Sequence, residues 1–447
     1  METTSDSGAY GSGIAKKMVD TINTEGMKRS ALEFAGQLAR GDFAGAVDKF
    51  DGKMKTVLPE DNLRAVWQQL TAQAGSIYMI NGVSTSEAQG YTVVVVACQF
   101  AKAGMDMVMP FNDQGQMSGL NIRPSAAAAS LYRPPAYVDR RAFHDTDVVV
   151  GNGEWALPGT LSMPEGDGPF PGVVLVHGSG SHDRDESIGP NKVFRDLAWG
   201  LASLGIAVVR YDKRTQAHKG KYTPEIAAKV TVKDEIIDDA LLAVRLLRGT
   251  PGVDTKRIFV LGHSLGGMLI PWIGSLDAGL AGLIIMSGSP RPVEDSVIDQ
   301  MTYLYGLSGM MTEQQKADLE ALEAQVARVK RGDFDENTPK KDLPLGMPPV
   351  YLLALRDYKP IEIAKSLATP MFIFQGDRDY QILAGKDFKA WKEALHDKTN
   401  VTVRLFPGLN HLLIEGEGMS KPEEYSVEGH VSKDVVKVID EWIKSRI

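Results

Sequence analysis

Residues 257–267 read RIFVLGHSLGG: an apolar run ends in Gly262, His263, Ser264, Leu265, Gly266 and Gly267, and a helix-compatible stretch follows. Strand, sharp turn and helix in that order make the context of a nucleophile elbow. The turn forces its central residue into a strained conformation. Glycines two positions either side keep side chains off the neighbouring strand and helix, so Ser264 is expected to project alone from a sheet. In a chain with 45 glycines the pattern also arises in ordinary glycine-rich turns. The flanking strand and the additional Gly267 argue against that reading.

The surroundings repeat the same alternation. Apolar strands are expected at 173–176, 206–211, 258–261, 283–286, 371–374 and 401–406. Amphipathic helices lie between them, one with Phe194, Leu197, Ala198 and Leu201 on a face, another with Ile237, Leu241, Val244 and Leu247, ending at Gly249. This predicts an α/β domain over 148–447: a mostly parallel sheet with helices on both faces, opened by a hairpin-like pair near Val148. One interval breaks the rhythm, between Ser287 and Met371. It holds the apolar patch MTYLYGLSGMM (301–311) and a helix over 313–331, with Thr312 as its cap, Gln315 three residues on and Gly332 at its end. Insertions there cover the sheet edge where ligands bind, so a helical cap over about 290–365 is expected above the site. A helical excursion packed elsewhere is the alternative.

A serine hydroxyl needs a base to take its proton, usually a histidine held in one tautomer by a carboxylate. Among eight histidines, His411 in PGLNHLL lies just past the last strand, where a loop can return an imidazole to the elbow. His396 sits in a charged segment and His430 at the start of a C-terminal helix. For the acid, the strand at 371–374 runs into QGDRDYQI. Asp379 is far enough round the turn to face the histidine, whereas Asp377 is better placed to hydrogen-bond the turn. Negative charge developing on a substrate needs amide donors. The first expected is Leu265, at the start of its helix. The second comes from the loop HGSGSHDRD after 173–176, with Ser179 the first candidate and Gly180 the second. His177 reads as structural. Asp183, Arg184, Asp185 and Glu186 either line the way in or form a salt-linked loop, the simpler reading. The run YDKR (211–214) is expected to tie down the loop that follows it.

The bulk numbers narrow the function. The 447 residues suit two domains, and a net charge of −8 at pH 7 argues against nucleic-acid binding. The single Cys98 lies in VVVVACQF and reads as a buried structural thiol. The sequence has no H-E-x-x-H, no C-x-x-C and no G-x-G-x-x-G after the first parallel strand, so neither metal nor cofactor is expected. No stretch approaches eighteen uninterrupted apolar residues and no secretory signal is visible, so no membrane span and a cytoplasmic location are expected.

Residues 1–24 are expected to be a flexible N-terminus and 25–123 a small α+β accessory domain. Helices at 27–50 and 61–71 precede strands at 77–83, 91–100, 105–111 and 116–122. A proline-bracketed linker, PSAAAASLYRPP, falls within 124–147.

Taken together, LVHGSGSHDRDESIGPNK, RYDKRT, GHSLGG, FQGDRDYQ and PGLNH resemble the α/β-hydrolase superfamily over 148–447, in particular bacterial esterases related to dienelactone hydrolases and the prolyl-oligopeptidase-like hydrolases. The resemblance implies Ser264, Asp379 and His411 as a catalytic triad, the amides of Ser179 and Leu265 as an oxyanion hole, and a His263 that is not a catalyst. Residues 27–123 are similar to a small domain of unassigned function that precedes such hydrolases, an α+β unit of the nuclear-transport-factor type; the resemblance does not give its role, and shaping substrate access and pairing subunits into a homo-oligomer are the two expectations. The expected activity is hydrolysis of short or medium acyl or aryl esters, the small-molecule partner of the chain. A peptidase or amidase, a thioesterase or acyltransferase, and an inactive binding protein on the same fold are the alternatives.

Overall fold

The computed structural model of the chain describes residues 8–88, 90–100, 104–124, 132–307 and 309–446. It divides into two compact units, the first comprising Met1–Tyr132 with the short segments Ile188–Asn191 and Pro422–Glu428, the second everything else. The centre of the expected linker, 125–131, lies outside the described residues, as do residues 1–7 of the expected flexible start; from Gly8 the backbone is helical.

Among its described residues the first unit has four α-helices, α1 (Gly8–Arg40), α2 (Phe43–Asp48), α3 (Gly52–Val57) and α4 (Glu60–Ala74). An antiparallel sheet follows in the order β1 (Ile77–Ala88), β2 (Tyr91–Phe100), β3 (Gly104–Phe111), β4 (Asn121–Pro124). Alternation along β2 buries Val94, Val96, Cys98 and Phe100 beneath Phe34, Leu38, Leu63 and Trp67 of the helices. Burial pushes the Cys98 thiol up to about 12, which leaves it unreactive. The helix expected over 27–50 breaks at Gly41, whose φ of 76° only glycine adopts readily, and Asp42 restarts it by accepting from the Gly45 amide. The strand expected over 116–122 is reduced to a bridge at Met117 followed by β4. Asn112 accepts from the amides of Gln114 and Gln116 and curls the chain there instead.

The second unit opens with β5 (Phe143–Val150), β6 (Leu157–Pro164), β7 (Phe170–Val176), α5 (Val193–Ser203), β8 (Ala207–Tyr211) and α6 (Asp238–Arg248). It continues with β9 (Val253–His263), α7 (Leu265–Leu276), β10 (Gly282–Met286), α8 (Val293–Gly306), α9 (Glu313–Arg331), α10 (Pro349–Arg356) and α11 (Pro360–Ser366). Strands β11 (Met371–Gly376) and β12 (Val401–Phe406) and helix α12 (Lys433–Lys444) complete it. Eight strands lie in the order β12-β11-β10-β9-β7-β8-β6-β5, and β6 alone runs against its neighbours. The hairpin begins at Phe143, ahead of Val148, because β5 is an edge strand whose central residues 144–147 are exposed and polar.

Val174, Val176 and Val260 face the layer of α6 and α7, through Val244, Leu247, Leu269 and Ile273. On the other face Trp442 of α12 packs on Phe259 and Phe372. Strand order reverses at β7, whose neighbours are β8 on one side and β9 on the other. The loops leaving β7 and β9 therefore part at their C-terminal ends, the crevice in which open α/β sheets bind ligands.

Candidate active site

Ser264 sits between β9 and α7 with φ 54° and ψ −118°, a conformation that costs a non-glycine residue about 1–3 kcal/mol. The flanking glycines permit it. A Cβ on Gly262 would fall 2.7 Å from the Gly267 nitrogen, and one on Gly266 would fall 2.5 Å from the His177 carbonyl oxygen. Leu265 is the first residue of α7, so its amide has no partner within the helix and lies at the positive end of the helix dipole.

The loop after β7 passes beside this serine: a Cβ on Gly178 would lie 3.1 Å from the Ser264 Cβ. Ser179 and Gly180 are exposed there. The Gly178 amide itself donates to Glu186 Oε1 at 2.7 Å. Glu186 is fully buried, and its Oε2 is 2.9 Å from His263 Nδ1. The opposite nitrogen, Nε2, donates to the His411 carbonyl oxygen at 3.1 Å. One buried pair thus joins the β7 loop, the residue before Ser264 and the loop of His411.

Burial alone would push the Glu186 carboxyl up, but the charge and hydrogen bond of His263 outweigh it and hold it at about 2. Burial likewise works against a charged His263, and the Glu186 carboxylate overcomes it, holding the imidazole above its ordinary 6.5. A lowered Glu186 stabilises the fold above its unfolded value of 4.5 and loses that contribution as pH falls toward 2. A raised His263 stabilises it below 6.5 and loses that contribution as pH rises through the folded value. Glu186→Gln is accordingly expected to cost about 3–5 kcal/mol, the penalty of leaving one buried charge unpaired. The difference from wild type should be largest between pH 4.5 and 6.5 and shrink above that window. Urea unfolding across pH measures this; a difference that does not vary with pH would count against the pair.

The acid and the second histidine come from the loops after β11 and β12. Asp379 is fully buried; its Oδ1 accepts from the amides of Gln381 (2.8 Å) and Ile382 (2.9 Å), and its Oδ2 lies 2.6 Å from His411 Nδ1. With the proton on Nδ1, Nε2 of His411 is free to accept one. The His411 ring lies 4.7 Å from that of His263, next to the elbow. The two loops are pinned together. The Arg378 amide donates to Leu409 O, the Gly408 amide to Asp377 Oδ1, and Asn410 Oδ1 accepts from Leu412 and Ile414. Asp377 thus ties the turn after β12 to its own turn and is exposed.

Residues 169–417 match the family described as "Serine aminopeptidase, S33", more than half of the chain. "Esterase EstD" of Thermotoga maritima is 37% identical over 415 residues, 93% of this chain and 95% of that protein. The chain belongs to the α/β-hydrolase-fold serine esterases. A "Monoacylglycerol lipase" of Mycolicibacterium smegmatis is 25% identical over 285 residues, 62% of this chain and 88% of its own length. The structure of Est1E from Butyrivibrio proteoclasticus matches at 16% identity and a TM-score of 0.43, over 67% of this chain and 98% of that one. Residues 31–120 match a family of unknown function, DUF3887, so this esterase carries its hydrolase domain behind an accessory domain of that type.

The esterase's cap consists of α8–α11. Helix α9 starts at a capping box between Thr312 and Gln315 and ends at Gly332 in the left-handed region, as its sequence predicts. Tyr358, just after α10, donates to Met268 O and stacks on Trp272 of α7. Tyr303 of α8 stacks on Tyr380, the neighbour of Asp379. Part of the patch at 301–311 is spent on the cap itself, with Met301 packed against Val297, Leu322 and Val326, while Leu307 and Met310 are exposed.

Arg184 and Asp185 are salt-linked, Arg184 to Asp212 and Asp185 to Arg210 and Arg195, whereas the Asp183 carboxylate accepts from the amides of Asp185 and Ser187 and from the Ser187 hydroxyl. A cavity of about 500 Å³ beside them is lined by these mutually paired charges. Glu186 departs from the run, turning inward at φ 46°. In YDKR, Lys213 reaches back to the preceding β7 loop, whereas Arg214 pairs with Asp239. His177 is buried and its Nε2 donates to Asp183 O; burial lowers it to about 4, so it is neutral near pH 7. His396 is exposed, and His430 pairs with Asp196. Glu186, Lys213 and Asn410 are the residues of the site that sequence reasoning missed. Only Asn410 carries a signal, an Asn ahead of a loop histidine able to cap its own turn. Among the described residues no helix is long and apolar enough to cross a membrane.

Proposed function

We propose that the chain hydrolyses uncharged carboxylic esters with short or medium acyl or aryl groups, using Ser264 as nucleophile, His411 as general base and acid, and Asp379 as its orienting carboxylate. Ser264 Oγ attacks the ester carbonyl while His411 Nε2 takes its proton. The oxyanion that forms is met by the amides of Ser179 and Leu265. His411 then gives the proton to the leaving alkoxide, and a water molecule, activated by the same imidazole, releases the acid from the acyl-enzyme. The observation that carries the reading is the 2.6 Å contact between His411 Nδ1 and a buried, fully hydrogen-bonded Asp379, in a loop joined through His263 to a strained Ser264.

The description of the matching family as an aminopeptidase favours a second reading, cleavage of amides. A free amino terminus would need a carboxylate to receive it, and those of Glu186 and Asp379 beside the elbow are already engaged with His263 and His411. Matched p-nitrophenyl esters and p-nitroanilides with the same acyl groups separate the readings. Turnover of the esters with little or none of the anilides is expected; anilide turnover at comparable kcat/KM would transfer the assignment to an amidase.

A further inference from the structure

Lys213 is a charged side chain that is almost fully buried, and the mechanism above gives it no role. Its Nζ donates to the Gly178 carbonyl oxygen at 2.8 Å and lies 3.4 Å from Glu235 Oε1. Glu235 in turn accepts at Oε2 from the hydroxyl of Tyr351, in cap helix α10, at 2.9 Å. The Lys213 backbone amide also donates to His182 O, so both ends of the residue hold the β7 loop.

The carbonyl that Lys213 grips belongs to the peptide whose N–H is that of Ser179. A trans peptide is planar, so its N–H points away from its C=O. Fixing the oxygen toward Lys213 therefore fixes the Ser179 N–H toward the opposite side. The preceding peptide is fixed as well, through the Gly178 amide on Glu186. A bond from an ammonium is stronger than one between neutral groups, and it polarises the amide beyond it. An amide so polarised is a better donor to an oxyanion.

We propose that Lys213 is a positioning residue of the oxyanion hole: its ammonium aims and polarises the Gly178–Ser179 peptide, with Glu235 and Tyr351 holding the ammonium in place. The proposal rests on the reading that the Ser179 amide receives the oxyanion. The interaction strengthens as charge develops on the substrate oxygen, so its loss is read in kcat and leaves KM largely alone.

The test uses the full chain, p-nitrophenyl butyrate as substrate and an alkyl trifluoromethyl ketone as a probe whose adduct with the serine carries an oxyanion. Lys213→Met with Glu235→Gln neutralises the pair without stranding a buried carboxylate. It is expected to lower kcat about 10- to 100-fold, part of the loss that follows removal of a whole oxyanion donor, to weaken the ketone by the same factor, and to leave KM nearly unchanged. Lys213→Gln, whose amide still donates to a carbonyl, should retain an intermediate kcat and guards against a double variant that folds poorly. Ser179→Pro deletes the N–H itself. Adding the Lys213 and Glu235 substitutions to it should cost little more, because both act through one donor. A folded double variant with wild-type kcat, or a loss as large in the Ser179→Pro background as outside it, overturns the proposal. A Ser179→Pro enzyme with full kcat overturns instead the oxyanion reading beneath it.

Discussion

Ser264→Ala is expected to lower kcat for nitrophenyl esters by a factor on the order of 10⁶, the loss seen when the nucleophile of a serine hydrolase is removed. In the proposed mechanism the hydroxyl is the atom that forms the acyl-enzyme, and no neighbouring group can replace it. Binding should survive, because the cap and the β7 loop do not depend on that oxygen. Ser264→Gly adds a second reading. It should abolish activity equally while raising the melting temperature, since glycine relieves the backbone held at φ 54°. Steady-state kinetics and thermal melts of the two variants measure both effects. Substantial turnover by either one would remove Ser264 from the chemistry.

Asp379→Asn is expected to lower kcat about 10⁴-fold, for a reason visible in its hydrogen bonds. Two backbone amides, of Gln381 and Ile382, donate to Oδ1. The carboxamide of asparagine must therefore place its oxygen there and its NH₂ where Oδ2 now meets His411 Nδ1. Two donors cannot share that contact, so the imidazole moves its proton to Nε2, the nitrogen that has to accept from Ser264. Asp377→Asn supplies the contrast. Asp377 accepts from the Gly408 amide, and kcat should stay close to wild type. Rates for the pair decide the assignment; similar losses in both variants would dissociate the acid role from Asp379.

The fold of the second unit is legible because buried parallel strands must be apolar on both faces, and runs such as GVVLV and RIFVLG say so directly. Turn and cap chemistry is legible for the same kind of local reason: Thr312, Gln315 and Gly332 announce α9, and the glycines of GHSLGG announce the elbow. What escapes is set by contacts distant in the chain. Glu186 looks like one more acid in DRDE, and only the inward turn at its positive φ brings it under His263, 77 residues later in sequence. Lys213 stands in a charged run beside Arg214, and which cation turns inward depends on a carbonyl 35 residues earlier. The shortened β4 and the break at Gly41 fail differently. There a single side chain, Asn112 or Asp42, competes with regular structure for the backbone amides.

This connectivity gives the site a common frame. Glu186 and His263 bridge the β7 loop to the loop of His411, and Asn410 shapes that second loop around its histidine. Lys213 links the β7 loop toward the cap through Glu235 and Tyr351. Hydrogen-bonded support of this kind is what holds reactive side chains within the narrow geometry that catalysis needs. The central claim, that Ser264 is the nucleophile within this frame, is tested most directly by covalent capture. Wild-type chain treated with a fluorophosphonate, digested and mapped by mass spectrometry, should carry one phosphonyl group on the peptide containing Ser264, and Ser264→Ala should carry none. An adduct on another residue, or undiminished labelling of Ser264→Ala, would contradict the account.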